Sequence, residues 1–143
     1  MSGLDKLFSG MRSTSSGLSA ERVRMDVIAE NIANARTTKT AGGGPYRRQL
    51  VKFEPLMQRA ANGQMLTVGM KKAEVVEDFA TPFERIYAPD HPDRDENNEI
   101  LMPNVSATRE MADLVSAMRA YEANLAAQEN FTRMAERALQ IAR

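Results

Sequence analysis

Large apolar residues return every seven positions at both ends of this chain. Near the N-terminus the series is Leu4, Met11, Leu18, Met25 and Ile32, flanked by Leu7, Phe8, Ile28 and Ala29. A heptad repeat sustained this long describes a narrow helical seam that another helix must cover. A helix of that reach spans about 48 Å, too long to be buried inside a compact chain of 143 residues. Its middle is poor in helix formers, with Gly10 followed by Ser13, Thr14, Ser15, Ser16 and Gly17. Each interior glycine costs about 1 kcal/mol against alanine, so this helix needs a partner.

The partner is expected at the other end. Met111, Met118, Leu125 and Leu139 fall on one heptad position, interrupted by Thr132, with Leu114, Tyr121 and Ala135 on the companion position. Asn104 and Ser106 offer helix-capping oxygens after Pro103, and no proline or glycine follows to the C-terminus. The two seams are expected to pair as an antiparallel coiled coil, with Leu4, Met11, Leu18, Met25 and Ile32 packed against Met111, Met118, Leu125 and Leu139.

Residues 37–103 have another texture. Ala41-Gly42-Gly43-Gly44-Pro45 reads as a hinge and Tyr46 to Phe53 as a strand that Pro55 ends or edges. Asn62-Gly63 is a type I′ turn signal, with return strands over 65–70 and 73–76. Four prolines from Thr81 to Pro103 inclusive point to an irregular loop. The expected fold is mainly α with a small β unit. Residues 1–36 and 104–143 make the paired terminal helices, and 37–103 the hinge, β-hairpin and loop region.

Composition removes most enzyme classes. There is no cysteine, hence no disulfide, thiolate or cysteine-bound metal, and no run approaches the length of a membrane span. No charged n-region with an apolar stretch marks a cleaved signal. Nineteen basic residues balance nineteen acidic ones, which argues against a nucleic-acid binder. The balance is uneven along the chain: residues 39–72 hold seven basic groups against Glu54, and residues 74–99 hold nine acidic groups against Arg85 and Arg94. The two halves either pair within the chain or meet across subunits.

His91, in Asp90-His91-Pro92-Asp93-Arg94-Asp95-Glu96, is the one histidine and could be drawn as a metal ligand. The spacing fits neither an EF-hand loop nor a helical pair of histidines, and a solvated acidic turn explains it better. No nucleophile elbow accompanies it, and the glycine run lacks the lysine and hydroxyl residue of a phosphate loop. Methionines suit surfaces that pack against several non-identical neighbours. Asn31, Asn34 and Asn124 are polar positions at or beside the seams, where asparagine can fix register.

Two stretches carry a resemblance. Asn31-Ile-Ala-Asn-Ala-Arg-Thr-Thr38 and Glu110-Met-Ala-Asp-Leu-Val-Ser-Ala-Met-Arg-Ala-Tyr-Glu-Ala-Asn124 resemble the paired terminal signatures of bacterial flagellar axial proteins. Gly44-Pro-Tyr-Arg-Arg48, Tyr87-Ala-Pro-Asp-His-Pro-Asp93 and Pro103-Asn-Val105 are similar to the proximal-rod members of that family. Ala88, Arg94 and Glu99-Ile100-Leu101 depart from its pattern.

The resemblance implies a structural, non-enzymatic rod subunit of the basal body, without cofactor, metal, nucleic acid or small-molecule substrate. Such proteins are exported through the flagellar type III apparatus without a cleaved signal peptide. They assemble helically with copies of themselves and with FlgB-, FlgF- and FlgG-type rod proteins, the rod–membrane-ring adaptor and the membrane ring. Their rod spans the periplasm, transmits torque and encloses the export channel. The terminal helices form its core layer and the middle its outer portion. The resemblance places Asn31, Asn34, Tyr121 and Asn124 at polar inter-helix or inter-subunit contacts, and makes Tyr87, Asp90, His91 and Pro92 an outer contact loop. The alternative from another class is a soluble coiled-coil adaptor.

Overall fold

The computed structural model describes residues 3–59, 63, 65–71 and 73–141; the side chains of residues 3–8, 66 and 68 lie outside the described set, Leu4 among them. Helix α1 runs Gly3–Ala33 and helix α2 runs Ala107–Ile141. Between them come β1 (Gln49–Lys52), β2 (Pro55–Arg59), β3 (Met65–Met70), β4 (Glu74–Glu77), β5 (Glu84–Tyr87) and β6 (Glu99–Met102).

The helices lie side by side and antiparallel. Gly10 faces Phe131 and Gly17 faces Asn124, Thr14 Oγ1 donates to Gln128 Oε1 at 3.2 Å, and Asn31 Nδ2 donates to Glu110 Oε2 at 3.1 Å. A step of seven along α1 is therefore a step of seven back along α2. The α2 seam is Glu110, Ala117, Asn124 and Phe131, with Leu114, Tyr121, Gln128 and Ala135 half-buried on the alternate position.

This corrects the expected pairing. Met111, Met118, Leu125 and Leu139 point away from α1 and are 55%, 47%, 42% and 68% exposed. The true seam lies one residue earlier on each helix, and hydrophobicity misses it because it is small or polar at Gly10, Gly17, Asn31, Glu110 and Asn124. Met11, Leu18, Met25 and Ile32 are half-buried beside the α1 seam. The glycines that weaken α1 as an isolated helix are what lets α2 approach, since a Cβ at Gly10 would stand 2.6 Å from the Phe131 ring.

The middle segment folds as one long antiparallel ribbon. Gln49 to Lys52 pair with Glu77 to Glu74, and Pro55 to Arg59 pair with Met70 to Met65. The register slips at the Phe53-Glu54 break before Pro55 and again between Leu56 and Met57, and the Lys71 N–H to Glu54 carbonyl bond (2.8 Å) bridges the first slip. Such bulges bend a ribbon and increase its twist. Gly63, at φ +83°, sits in the connecting turn; Asn62 of the expected turn lies outside the described residues. The ribbon rests on the serine-rich stretch of α1, where the Met70 N–H donates to Ser16 Oγ at 3.0 Å. A Cβ on Gly69 would come 3.0 Å from that oxygen, so glycine there permits the contact.

Residues 81–103 are more regular than expected. Glu84–Tyr87 pairs antiparallel with Met102–Glu99, and Ile100 is buried at 7% exposure. The prolines stand outside the two strands, so they frame this ladder rather than break it. Asp95 shapes the loop between them by accepting the N–H groups of Asn97 and Glu99, both at 2.9 Å.

The order of layers is ribbon, α1, α2. Helix α1 is covered on two sides, and none of its described side chains is among the exposed large apolar ones. Helix α2 keeps an open apolar face.

Candidate assembly site

Asn31, in the last turns of α1, has 1% of its surface exposed, and its amide is fully used. Its Oδ1 accepts from the Gln49 backbone N–H (2.9 Å) and the Tyr46 hydroxyl (3.0 Å); its Nδ2 donates to the Gln49 carbonyl (2.9 Å) and to Glu110 Oε2 (3.1 Å). An asparagine amide has two donors and two acceptor sites. Because both backbone groups of Gln49 face it, the side chain serves β1 as a neighbouring strand would.

Glu110, in the first turn of α2, is fully buried. Arg48 Nε donates to its Oε1 at 2.6 Å, while the same guanidinium lies 3.8 Å from Asp78 and 3.7 Å from Asp113. A carboxylate this deep is tolerable only when paired and hydrogen-bonded on both oxygens. Both oxygens are engaged, one from α1 and one from the middle segment.

A further shell fixes Arg48. Its backbone N–H donates to Asn104 Oδ1 (2.7 Å), and Asn104 Nδ2 donates to the carbonyls of Asp78 (3.1 Å) and Thr81 (3.0 Å). Asn104 therefore joins the loops instead of capping α2. Asp78 accepts from Thr81 Oγ1 and from the N–H groups of Ala80 and Thr81. The Thr81 hydroxyl and N–H, helped by Arg48, hold its carboxyl below its ordinary 3.8. Burial, then the carboxylates of Glu30, Glu110 and Glu77, push the Tyr46 hydroxyl up to about 12.

The two charge halves meet within the chain at two places: Lys52 stands opposite Glu74 in the ribbon and Arg48 lies 3.8 Å from Asp78. Lys71 pairs with Glu54 inside the basic half at 2.8 Å. Arg47 is held between the rings of Phe79 and Phe83, 4.5 and 4.3 Å from their centroids, an arrangement that favours a cation.

The other expected residues are spread out. Asn34 bonds locally, to the Glu30 carbonyl and from Thr37 Oγ1, and finishes α1; it does not reach α2. Tyr121 and Asn124 are half-buried on the α2 seam, Asn124 against Gly17. Tyr87 ends β5 at 69% exposure, and Asp90 and Pro92 are exposed. His91 is half-buried, its Nδ1 accepting the Asp93 N–H at 3.1 Å. Thr38 Oγ1, in the segment that follows α1, ties this loop down through Asp93 Oδ2 at 2.7 Å. Among the described residues no three His, Asp or Glu side chains converge as metal ligands.

Sequence reasoning missed the roles of Tyr46, Arg48, Asp78, Asn104 and Glu110. The available signal was spacing: Glu110 lies seven residues before Ala117 and fourteen before Asn124. What remains open is a stripe along α2 with Met111, Val115, Met118 and Leu125 all exposed, together with Leu139 further on. Among the described residues large exposed apolar side chains outnumber buried ones, a pattern typical of interaction surfaces.

The comparisons agree at both ends of the chain. The family described as flagella basal body rod protein matches residues 11–39. The family described as flagellar basal body rod FlgEFG protein C-terminal matches residues 99–141. The flagellar basal-body rod protein FlgC of Borreliella burgdorferi is 40% identical over 133 residues, covering 82% of this chain and 86% of that protein. FlgC of Bacillus subtilis is 36% identical, covering 94% of this chain and 97% of that protein. FlgC of Salmonella typhimurium is 41% identical, covering 77% of this chain and 78% of that protein.

Proposed function

The chain belongs to the FlgC family of flagellar basal-body rod proteins, and from that premise we propose how it assembles. It is a structural rod subunit of the basal body, not an enzyme, and assembles with other rod components; the adaptor alternative is not favoured. The finer reading is of a proximal-rod subunit that crosses the periplasm, transmits torque and helps enclose the export channel. In it, residues 1–36 and 104–143 form the core layer and residues 37–103 the outer portion. Its neighbours are copies of itself, FlgB-, FlgF- and FlgG-type rod proteins, the rod–membrane-ring adaptor and the membrane ring, reached after type III export.

One observation carries the assembly reading: the apolar heptad stripe of α2 is exposed while α1 is covered on two sides. The surface through which the folded subunit joins neighbours is then Met111, Met118 and Leu125. Met11, Leu18, Met25, Ile32, Tyr121 and Asn124 support the helix pair behind it. Contacts of this kind, repeated head to tail without closing, build helical assemblies. The exposed side chains of Tyr87, Asp90 and Pro92, with His91 shaping their turn, form the outer contact loop.

The test is a reconstruction of intact basal bodies from cells carrying this chain. The expected result is its helix pair in the innermost layer of the rod, next to the membrane ring. Rods complete without it, or with its helices outermost, would refute the reading.

A further inference from the structure

Helices α1 and α2 meet at one end through a pair that does not close by itself. There Asn31 faces Glu110, an amide against a carboxylate with no exposed surface. One amide hydrogen bond does not compensate a buried charge. The missing cation arrives from outside the helix pair: Arg48, whose Nε lies 2.6 Å from Glu110 Oε1. Arg48 is in turn placed by the folded middle segment, through Asn104 on its N–H and through β1, which begins at the next residue. Tyr46 and Gln49 fill the remaining valences of Asn31 from the same segment.

We propose that Arg48 and Glu110 form a conformational interlock, which makes pairing of α1 with α2 at this end conditional on folding of the middle segment. Without the folded ribbon, Glu110 faces Asn31 with no cation and stays in water, so the helices remain apart. Once β1 and β4 pair, Arg48 enters and the end closes. At the opposite end, where Gly10 meets Phe131 and Thr14 meets Gln128, no such buried charge stands among the described residues, and it is not gated. The interlock is a property of the free chain. Its use, holding the chain open during export and closing it on arrival, rests on the rod-subunit reading.

Hydrogen exchange on the purified full-length chain tests it without a flagellum. Val76 of β4 pairs with Leu50 of β1, and because the Asp78 N–H donates to the Arg48 carbonyl at 2.8 Å, the Val76 N–H, two residues earlier, faces β1 as well. Val76→Pro removes that ladder N–H and opens the ribbon. The expected result is at least a tenfold loss of protection over residues 110–121 and 24–32. The same loss is expected in Arg48→Met, which leaves Glu110 without a cation. In Arg48→Met/Glu110→Met the helix ends should regain protection to within about threefold of the parent. Adding Val76→Pro to that double variant should then leave them unchanged. Full helix protection in Val76→Pro alone would overturn the interlock. So would failure of the double variant to recover, or an equal loss when Val76→Pro is added to it. All these readouts are independent of rod incorporation.

Discussion

Gly10 of α1 lies under the ring of Phe131 of α2, so closely that a Cβ on residue 10 would meet Cζ at 2.6 Å and Cε1 at 2.8 Å. The absence of a side chain on one helix is filled by the largest side chain on the other seam. That pairing explains why a residue costing helix propensity stands in the middle of a 31-residue helix.

The first prediction separates propensity from packing. Gly10→Ala should yield little or no stabilisation in the parent, because the ring must move. With Phe131→Leu in place, the same change should recover about 0.5–1 kcal/mol. Denaturant unfolding of the four chains measures the difference, and equal effects in both backgrounds would mean that the ring does not occupy the space.

The ribbon is clipped to α1 at Ser16 and Gly69. Gly69→Val should push it off, because even a first carbon at residue 69 stands 3.0 Å from Ser16 Oγ and 3.9 Å from Ser13 Cα. Ser16→Ala removes only the bond to the Met70 N–H, and should cost about 0.5–1.5 kcal/mol. Exchange of the ribbon amides should quicken strongly in the first variant and modestly in the second.

Asp78 contributes an acid limb to stability. Its folded carboxyl titrates below its ordinary 3.8, so the contribution is complete above that value and is lost as the pH falls through the folded value. Asp78→Asn should therefore be less stable than the parent near pH 5, with the gap narrowing as the pH falls below 3.8. Melting temperatures across that range check it, and a constant gap would contradict the assignment.

Tyr46 supplies the alkaline limb. Its hydroxyl is raised from 10.0 to about 12, so its contribution is full below the unfolded value and lost as the pH rises through the folded one. Tyr46→Phe should remove this limb and leave the Gln49 N–H as the remaining donor to Asn31 Oδ1. The tyrosinate absorbance of parent minus variant should rise near pH 12 in the folded chain.

The helices were legible because a long heptad and a run without glycine or proline survive any context. Which face pairs was not, because the seam is chosen by volume and buried polarity: Gly10 opposite Phe131, Asn31 opposite Glu110. The ribbon could be foreseen from Asn62-Gly63 and Pro55, but its register depends on two slips that no local pattern announces. The β5–β6 ladder hid among prolines that stand outside its strands. The polar knot was least legible, since Arg48 and Glu110 are 62 residues apart and only the folded ribbon brings them together.

The central claim is that the outward stripe of α2 joins the subunit to its neighbours. Met118→Asp with Leu125→Asp places two charges on it, at residues 47% and 42% exposed that do not lie between the helices. The circular dichroism and melting of the purified chain should be unchanged. The direct measurement is the amount of this double variant in basal bodies isolated from cells that carry no other copy of the protein. The account predicts a folded protein that is absent from the rod and cells that do not swim; normal rods containing the variant would contradict it.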